Sequence, residues 1–267
     1  MVVTDLSSDK ILLLRDGHVA EIVFNNPARH NAMSLSMWQG LSDHLSALAA
    51  DDTVRVVVLS GAGGKAFVSG ADISEFEAQR SDADAVAHYN RVSEDAEAAV
   101  ANFPKPVIAK IDGYCLGGGV GLAIGCDIRL CSDGSRFAIP AGKLGLGYSY
   151  DGVAKLIDTI GAPSAAELFL TGRVFQADEA LQMGLVNRIV SKADLAQAAS
   201  ALAETIADNA PLTMRAFKAA KIEHGKDPHR RDRDRVDALV DACFASEDYA
   251  EGRAAFAERR KPVFRGG

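Results

Sequence analysis

Residues 113–127, GYCLGGGVGLAIGCD, limit the folds open to this chain more than any other stretch. Three consecutive glycines, Gly117, Gly118 and Gly119, stand between the apolar run VIAKI (107–111) and an apolar segment of helical length. The run has the length and character of a buried strand. A strand that turns through glycines into a helix presents the helix's first amides, which have no acceptor within the helix. They carry the positive end of the macrodipole. With no Cβ in the way, a ligand oxygen can approach the backbone closely. Such a turn suits a phosphate, a carboxylate or an oxyanion. It also suits plain close packing of helix on strand, and shape alone leaves the two readings even.

Two phosphate motifs fail at this turn. A Walker loop continues Gly-Lys-Ser/Thr, whereas Val120-Gly121-Leu122 follows here. A dinucleotide fingerprint needs a glycine at its sixth position, which is Leu122 counted from Gly117 and Ile124 counted from Gly119. A second segment, GGKAFVSGADISEF (63–76), repeats the arrangement: the strand-like TVRVVVLSG, a loop, then Gly70-Ala71-Asp72 opening a helix. Two converging N–H groups are what a thioester carbonyl needs if negative charge is to build on its oxygen.

The rest of the chain alternates strand and helix. KILLLRD and HVAEIVFN, joined at Asp16-Gly17, predict a β-hairpin. Leu35, Trp38, Leu41, Leu45 and Leu48 share one helical face, as do Val86, Tyr89, Val92, Ala96 and Val100 on a helix over 82–101. Short strands are expected in CDIRLCS and SRFAI. Beyond about residue 150 strand signals thin out. Helices are expected at 151–160, 164–170, 177–183, 192–209, 211–223 and 232–259. The pattern predicts an α/β core over 1–195 and a helical C-terminal oligomerisation region over 196–267.

With 267 residues, 48% of them hydrophobic, the chain can bury a large core. A net charge of −7 argues against a nucleic-acid binder. The Arg-rich stretch 225–240 carries nearly balancing aspartates and fits a solvated helix. No signal peptide or membrane span is expected, and a cytoplasmic placement is expected accordingly. Cys115, Cys126, Cys131 and Cys243 show neither CxxC spacing nor a neighbouring His at ligand spacing. Reduced core thiols and no metal are therefore expected.

Five segments together resemble the enoyl-CoA hydratase/isomerase (crotonase) family. They are NNPARHNAMS (25–34), KAFVSGADISEF (65–76), IAKIDGYCLGGGVGLAIGCDI (108–128), TGRVFQADEALQMGLVNRIV (171–190) and EGRAAFAERRKPVFRG (251–266). The resemblance covers nearly the whole chain. It implies a crotonase-like spiral of ββα units, a C-terminal helical trimerisation region, and a homotrimer or homohexamer. It implies an acyl-CoA thioester substrate, with coenzyme A present only as part of that substrate. The thioester carbonyl is expected between the N–H groups of Ala71 and Gly118. Segment 66–73, with Ala66, Gly70, Ala71, Asp72 and Ile73, is expected along the CoA path. Arg29 falls near the CoA phosphates, or is an ordinary solvated arginine.

The resemblance also marks a departure. Hydratases of the family hold water with two glutamates, and the aligned positions here are Gly121 and Ala141. Addition of water needs a group that deprotonates it and one that protonates the α-carbon, and neither residue does either. The expected chemistry is therefore an enolate or oxyanion reaction other than standard hydration, such as isomerisation, decarboxylation, thioester hydrolysis or carbon–carbon cleavage. The alternatives are an enoyl-CoA hydratase of fatty-acid oxidation and a non-catalytic acyl-CoA-binding homologue. The candidate acids lie in GKLGLGYSYDGVAKL (142–156): Tyr148, Tyr150 and Asp151, with Ser149 between them. Asp151 doubles as a candidate N-cap for the helix that follows. His88 is a further candidate, and Asp72 and Glu75 suit the first turn of a helix without any chemistry.

Overall fold

Each strand-like run finds its place in one of two sheets. The computed structural model describes residues 2–72 and 83–267. Strands β1 (Val2–Ser8), β2 (Ile11–Asp16) and β3 (Val19–Phe24) form an antiparallel meander, followed by helix α1 (Leu35–Ala50). Then come β4 (Val56–Gly61), β5 (Ala66–Val68) and α2 (Ala83–Ala101). The next turn of chain is β6 (Val107–Ile111), β7 (Tyr114–Leu116) and α3 (Gly118–Gly125). The third is β8 (Ile128–Ser132), β9 (Arg136–Ala138), the short α4 (Ala141–Leu144) and α5 (Tyr150–Thr171). Last come β10 (Phe175–Gln176), α6 (Ala177–Gln182), β11 (Arg188–Val190) and helices α7 (Leu195–Ala207), α8 (Pro211–His224), α9 (Arg233–Ala245) and α10 (Glu247–Glu258).

The first strands of the three turns, β4, β6 and β8, join β1–β3 and β11 in a seven-stranded sheet of order β1-β2-β3-β4-β6-β8-β11, and the second strands, β5, β7 and β9, join β10 in a four-stranded sheet of order β10-β9-β7-β5. The pairs β3–β4, β4–β6, β6–β8 and β8–β11 are parallel, as are β5–β7 and β7–β9. This is the spiral of ββα units. Parallel strands covered on both faces read as continuous apolar runs, which is why VVVLSG and VIAKI are almost wholly buried. The main core collects Trp38, Phe24, Phe67, Phe137 and Phe175 beside Leu and Val side chains from the sheets and α1–α3. Each such side chain contributes roughly 1.5–3 kcal/mol on burial. A second cluster lies on the other face of the large sheet, where Leu195, Ala203 and Ala207 of α7 cover Val56, Val58, Ile108 and Leu130. So the helical region after residue 195 begins with an element that belongs to the body of the fold.

Several boundaries differ from the sequence-based expectation. The hairpin turn is Gly17-His18, one residue later than expected, since Asp16 pairs with Val19. The strand β1 adds a third member to that meander. The helices expected at 151–160 and 164–170 are both present: they run on as α5 but are divided at Gly161 (φ 76, ψ 155), just before Pro163. The single helix expected over 232–259 is two, because Ser246 (φ −81, ψ 154) leaves the helical region and caps α10 by accepting from Tyr249 N–H. Around the Arg-rich stretch, Lys226 and Arg235 pair with Glu223 of α8. The helix expected after Asp72, with Ile73 and Glu75, lies outside the described residues.

Candidate functional site

The two small-residue turns meet. Gly117 takes φ 52, ψ −117, a conformation that glycine adopts without strain. A Cβ placed on it would stand 3.8 Å from the Gly70 Cα, and one placed on Gly70 would stand 3.5 Å from the Leu116 carbonyl oxygen. A Cβ on Gly119 would overlap the Val68 carbonyl, so the third glycine lets α3 sit directly on β5. Gly118 is the first residue of α3, and its N–H has no acceptor within the helix. Ala71 forms a parallel bridge with Met33 in which Met33 N–H donates to Gly70 O (2.8 Å) and Asp72 N–H donates to Met33 O (2.9 Å). That pattern uses the groups on either side of the Ala71 N–H and leaves it pointing the other way. Among the described residues, neither the Ala71 nor the Gly118 N–H makes a hydrogen bond.

A buried chain of hydrogen bonds holds the two turns in register. Trp38 Nε1–H donates to the Tyr89 hydroxyl (3.0 Å), which donates to Met33 O (3.1 Å). Met33 O therefore accepts from Tyr89 and Asp72 at once. The Trp38 ring in turn lies beside Gly118, where a Cβ would meet its Cζ2 at 3.3 Å. The apolar faces read from α1 and α2 thus bring their polar tips to one point, as buried Tyr and Trp require.

Gly121, on α3, does not border empty space. A Cβ built on Gly121 would lie 2.5 Å from Glu97 Oε1, 2.8 Å from its Cδ and 2.9 Å from Oε2. A Cβ on Gly118 would lie 3.8 Å from the same Oε1. The Glu97 carboxylate, carried by α2, therefore rests on the bare backbone of α3 beside the Gly118 turn. No larger residue fits at 121 unless Glu97 moves. Burial pushes the Glu97 carboxyl up to about 7; Lys155 of α5 opposes the rise and Glu94 adds to it. Sequence reading missed this residue. Its signal was faint: Glu97 sits between Ala96 and Val100 on the rim of the buried stripe of α2.

The other expected site residues separate into groups. Tyr148 packs edge-on against Phe169 (centroids 5.1 Å apart, 83°), and its hydroxyl is pushed up by burial and then by the charge of Glu97. The same carboxylate thus acts on it electrostatically. Asp151 is exposed in the first turn of α5, and the charges acting on Glu97 are those of Lys155 and Glu94 instead. Asp151 is not the N-cap: Ser149 is, its Oγ accepting from Gly152 N–H (3.3 Å). Tyr150 is 84% exposed and His88 is exposed beside Arg91. Ala141 opens α4 with its side chain in the core. Arg29, more than half exposed, pairs with the buried Asp72 at 3.3 Å. Ala66 is buried and its carbonyl accepts from Asn31 Nδ2 (2.7 Å). Ile73 lies outside the described residues. The four cysteines are free, and burial pushes the Cys126 and Cys131 thiols up to about 12. Among the described residues no group of three or more His, Cys, Asp or Glu is placed to hold a metal ion. No described helix is long and apolar enough to cross a membrane.

Known proteins resemble this chain along most of its length. Residues 15–267 match the family model described as enoyl-CoA hydratase/isomerase. The chain is 33% identical over 257 residues to a short-chain-enoyl-CoA hydratase of Clostridium acetobutylicum, covering 95% of this chain and 96% of that protein. It is 34% identical over 264 residues to a carnitinyl-CoA dehydratase of Escherichia coli K12, covering 97% and 99%. A crystal structure described as an enoyl-CoA hydratase/carnithine racemase from Magnetospirillum magneticum superposes with a TM-score of 0.90 at 40% identity, over 98% of this chain and 97% of that one. With this fold, these glycine turns and matches along almost its whole length, the chain belongs to the enoyl-CoA hydratase/isomerase family and has the crotonase fold.

Proposed function

We propose that the protein is an enzyme that processes an acyl-CoA thioester, with the thioester carbonyl oxygen received by the N–H groups of Ala71 and Gly118. The observation that carries this reading is the meeting of the two turns, with two backbone donors that have no other use. Negative charge building on the oxygen during enolate formation or acyl transfer is stabilised by such preorganised amides, and losing one donor typically costs about 10²–10³-fold in rate. The Trp38–Tyr89–Met33 chain keeps that geometry fixed. Segment 66–73 and Arg29 serve the CoA moiety, the Arg29 guanidinium leaving its partner Asp72 for a phosphate or bridging the two anions. Tyr148 borders the acyl side, where it donates a hydrogen bond to a developing oxyanion or holds the neighbouring carboxyl. Asp151, at the mouth of α5, reaches the acyl chain only if that loop closes over it.

Standard hydration is not the reaction we assign. Gly121 and Ala141 stand where the resemblance places the two water-holding glutamates, so the pair of carboxylates on either side of a water is missing. The competing reading is hydration or dehydration, favoured by the names of the relatives in Clostridium and Escherichia. A panel of acyl-, enoyl- and malonyl-type CoA esters, followed by mass spectrometry, separates the two. The expected outcome is turnover that Gly118→Pro abolishes, since proline removes the amide donor. Hydration of crotonyl-CoA at ordinary enzyme rates overturns the assignment of a different reaction. Binding of the esters without turnover of any favours a non-catalytic acyl-CoA binder.

A further inference from the structure

We infer that Glu97 is the catalytic acid–base of this site: α2 delivers its carboxylate across the gap left by Gly121, to the side of the Gly118 turn that faces the acyl α-carbon. This rests on the acyl-CoA reading above and goes further by naming the proton carrier and its route.

Three features of the geometry support it. Both carboxylate oxygens approach the Gly121 backbone within the space a side chain at 121 would occupy, so the glycine and the glutamate are complementary in shape. Oε1 is also the atom nearest Gly118 among those of Glu97, which puts it next to one of the two oxyanion donors. Finally, no described hydrogen bond or ion pair engages Glu97: Lys155 and Glu94 act on it, and it acts on Tyr148, by charge alone. Glu97 is half-buried, and a carboxylate drawn into the fold without a described partner costs stability; such groups concentrate where proton transfer is done. Among the described residues the titratable groups around it are Glu94 on its own helix, Lys155 on α5 and Tyr148 before α5; α3 contributes no titratable side chain. With its carboxyl pushed up to about 7, Glu97 holds and releases a proton near neutrality.

The step balances without any co-reactant. The Glu97 carboxylate takes the α-proton, the C–H electron pair becomes the enolate double bond, and the carbonyl π pair moves to the oxygen held by Ala71 and Gly118. The reverse collapse returns a proton from the Glu97 carboxylic acid to carbon. If the acid has exchanged with solvent meanwhile, the carbon acquires a solvent hydrogen.

The test uses the full-length protein with butyryl-CoA in D2O, reading α-deuteration by mass spectrometry from about pH 5 to 9. Thioester binding is read separately by calorimetry. The expected result is exchange that rises with pH and levels off above about 7. Glu97→Gln should lower it by about 10²–10⁴-fold while binding butyryl-CoA as the parent does. Gly121→Ala, whose methyl displaces the carboxylate, should also lower exchange and spare binding. Should Glu97→Gln fail to fold, the parent's pH profile and Gly121→Ala decide. A flat pH profile, or exchange in Glu97→Gln close to the parent's, overturns the assignment. So does a parent that binds butyryl-CoA without exchanging it, a result that leaves the acyl-CoA reading standing. A parent that fails to bind the thioester overturns that reading and this one together.

Discussion

Helix α3 has a carboxylate at each end, and the protein treats the two in opposite ways. At its start, Glu97 rests on Gly121 with no described hydrogen-bond partner, its carboxyl pushed up to about 7 chiefly by burial. Just past its end, Asp127 accepts from Val107 N–H (2.8 Å), from Lys218 Nζ at both oxygens (2.9 and 2.8 Å) and from Lys221 Nζ (2.6 Å). Asp127 ties α8 to the edge of β6 and is saturated; it has nothing left to offer a substrate. Glu97 has its full acceptor capacity in hand. Buried charges that hold a fold together are paired, and a half-buried one with no described partner beside the Ala71 and Gly118 turns is available for chemistry.

The largest effect that could break this contrast is on rate. Neutralising Glu97 as Gln should remove about 10²–10⁴-fold of α-proton exchange, which at 1.36 kcal/mol per decade is about 3–5 kcal/mol of barrier. Asp127→Asn should leave the rate per folded molecule and its midpoint near pH 7 unchanged. Its effect belongs to stability. Lys218 is only 1% exposed, and removing the carboxylate leaves that ammonium buried without its counter-charge. Breaking such a pair costs about 3–5 kcal/mol, readable by chemical or thermal denaturation. If the two substitutions traded phenotypes, the division of labour between the ends of α3 would be wrong.

A smaller effect concerns stability against pH. The ordinary value for a glutamate is 4.5, and burial raises Glu97 to about 7. Between these values the folded state binds more protons than the unfolded chain, so raising the pH through that window favours unfolding. The cost is complete above about 7 and absent below about 4.5. Glu97→Gln should therefore stabilise the protein by roughly 1–3 kcal/mol at pH 8 and leave it unchanged near pH 4.5, as judged by melting temperature at each pH. A variant that loses activity while gaining stability only at high pH separates a catalytic carboxylate from a structural one. Equal destabilisation at both pH values would mark Glu97 as a packing residue.

How much of this was legible in the sequence follows from how local each signal is. The strands VVVLSG and VIAKI and the Leu35–Leu48 face of α1 show their character within one window, because burial imposes a period on neighbouring residues. The glycine turn was legible for the same reason: Gly117–Gly119 adjoin a strand and a helix in sequence. The α5 cap misled because Ser149 and Asp151 are both good caps, and only the backbone shows that the chain enters the helix at the first. The break at Ser246 hides inside a continuous helical pattern. Glu97 was the hardest case. Nothing within reach of residue 97 says that its carboxylate will meet Gly121; that depends on how α2 crosses α3. Read alone, Gly121 marked a missing glutamate. In the fold it is the space that a different glutamate needs.

The finest test bears on what tunes Glu97 without bonding to it. Among the described residues, Lys155 of α5 is the cation that lowers the Glu97 carboxyl, against the larger effect of burial. Lys155→Met should move the midpoint of α-proton exchange upward from about 7. Below the midpoint a smaller fraction of Glu97 is ionised, so exchange near pH 6 falls; near pH 9 both forms are ionised and the rates converge. The comparison at the other end of α3 is Lys221→Met. Its partner Asp127 keeps Lys218 and the Val107 N–H, and Lys221 itself is 42% exposed, so the cost should stay below about 1 kcal/mol with no change in the pH profile. A midpoint that moves with Lys155 and not with Lys221 ties the titration to Glu97 by its surroundings, through a substitution that leaves the carboxylate itself in place.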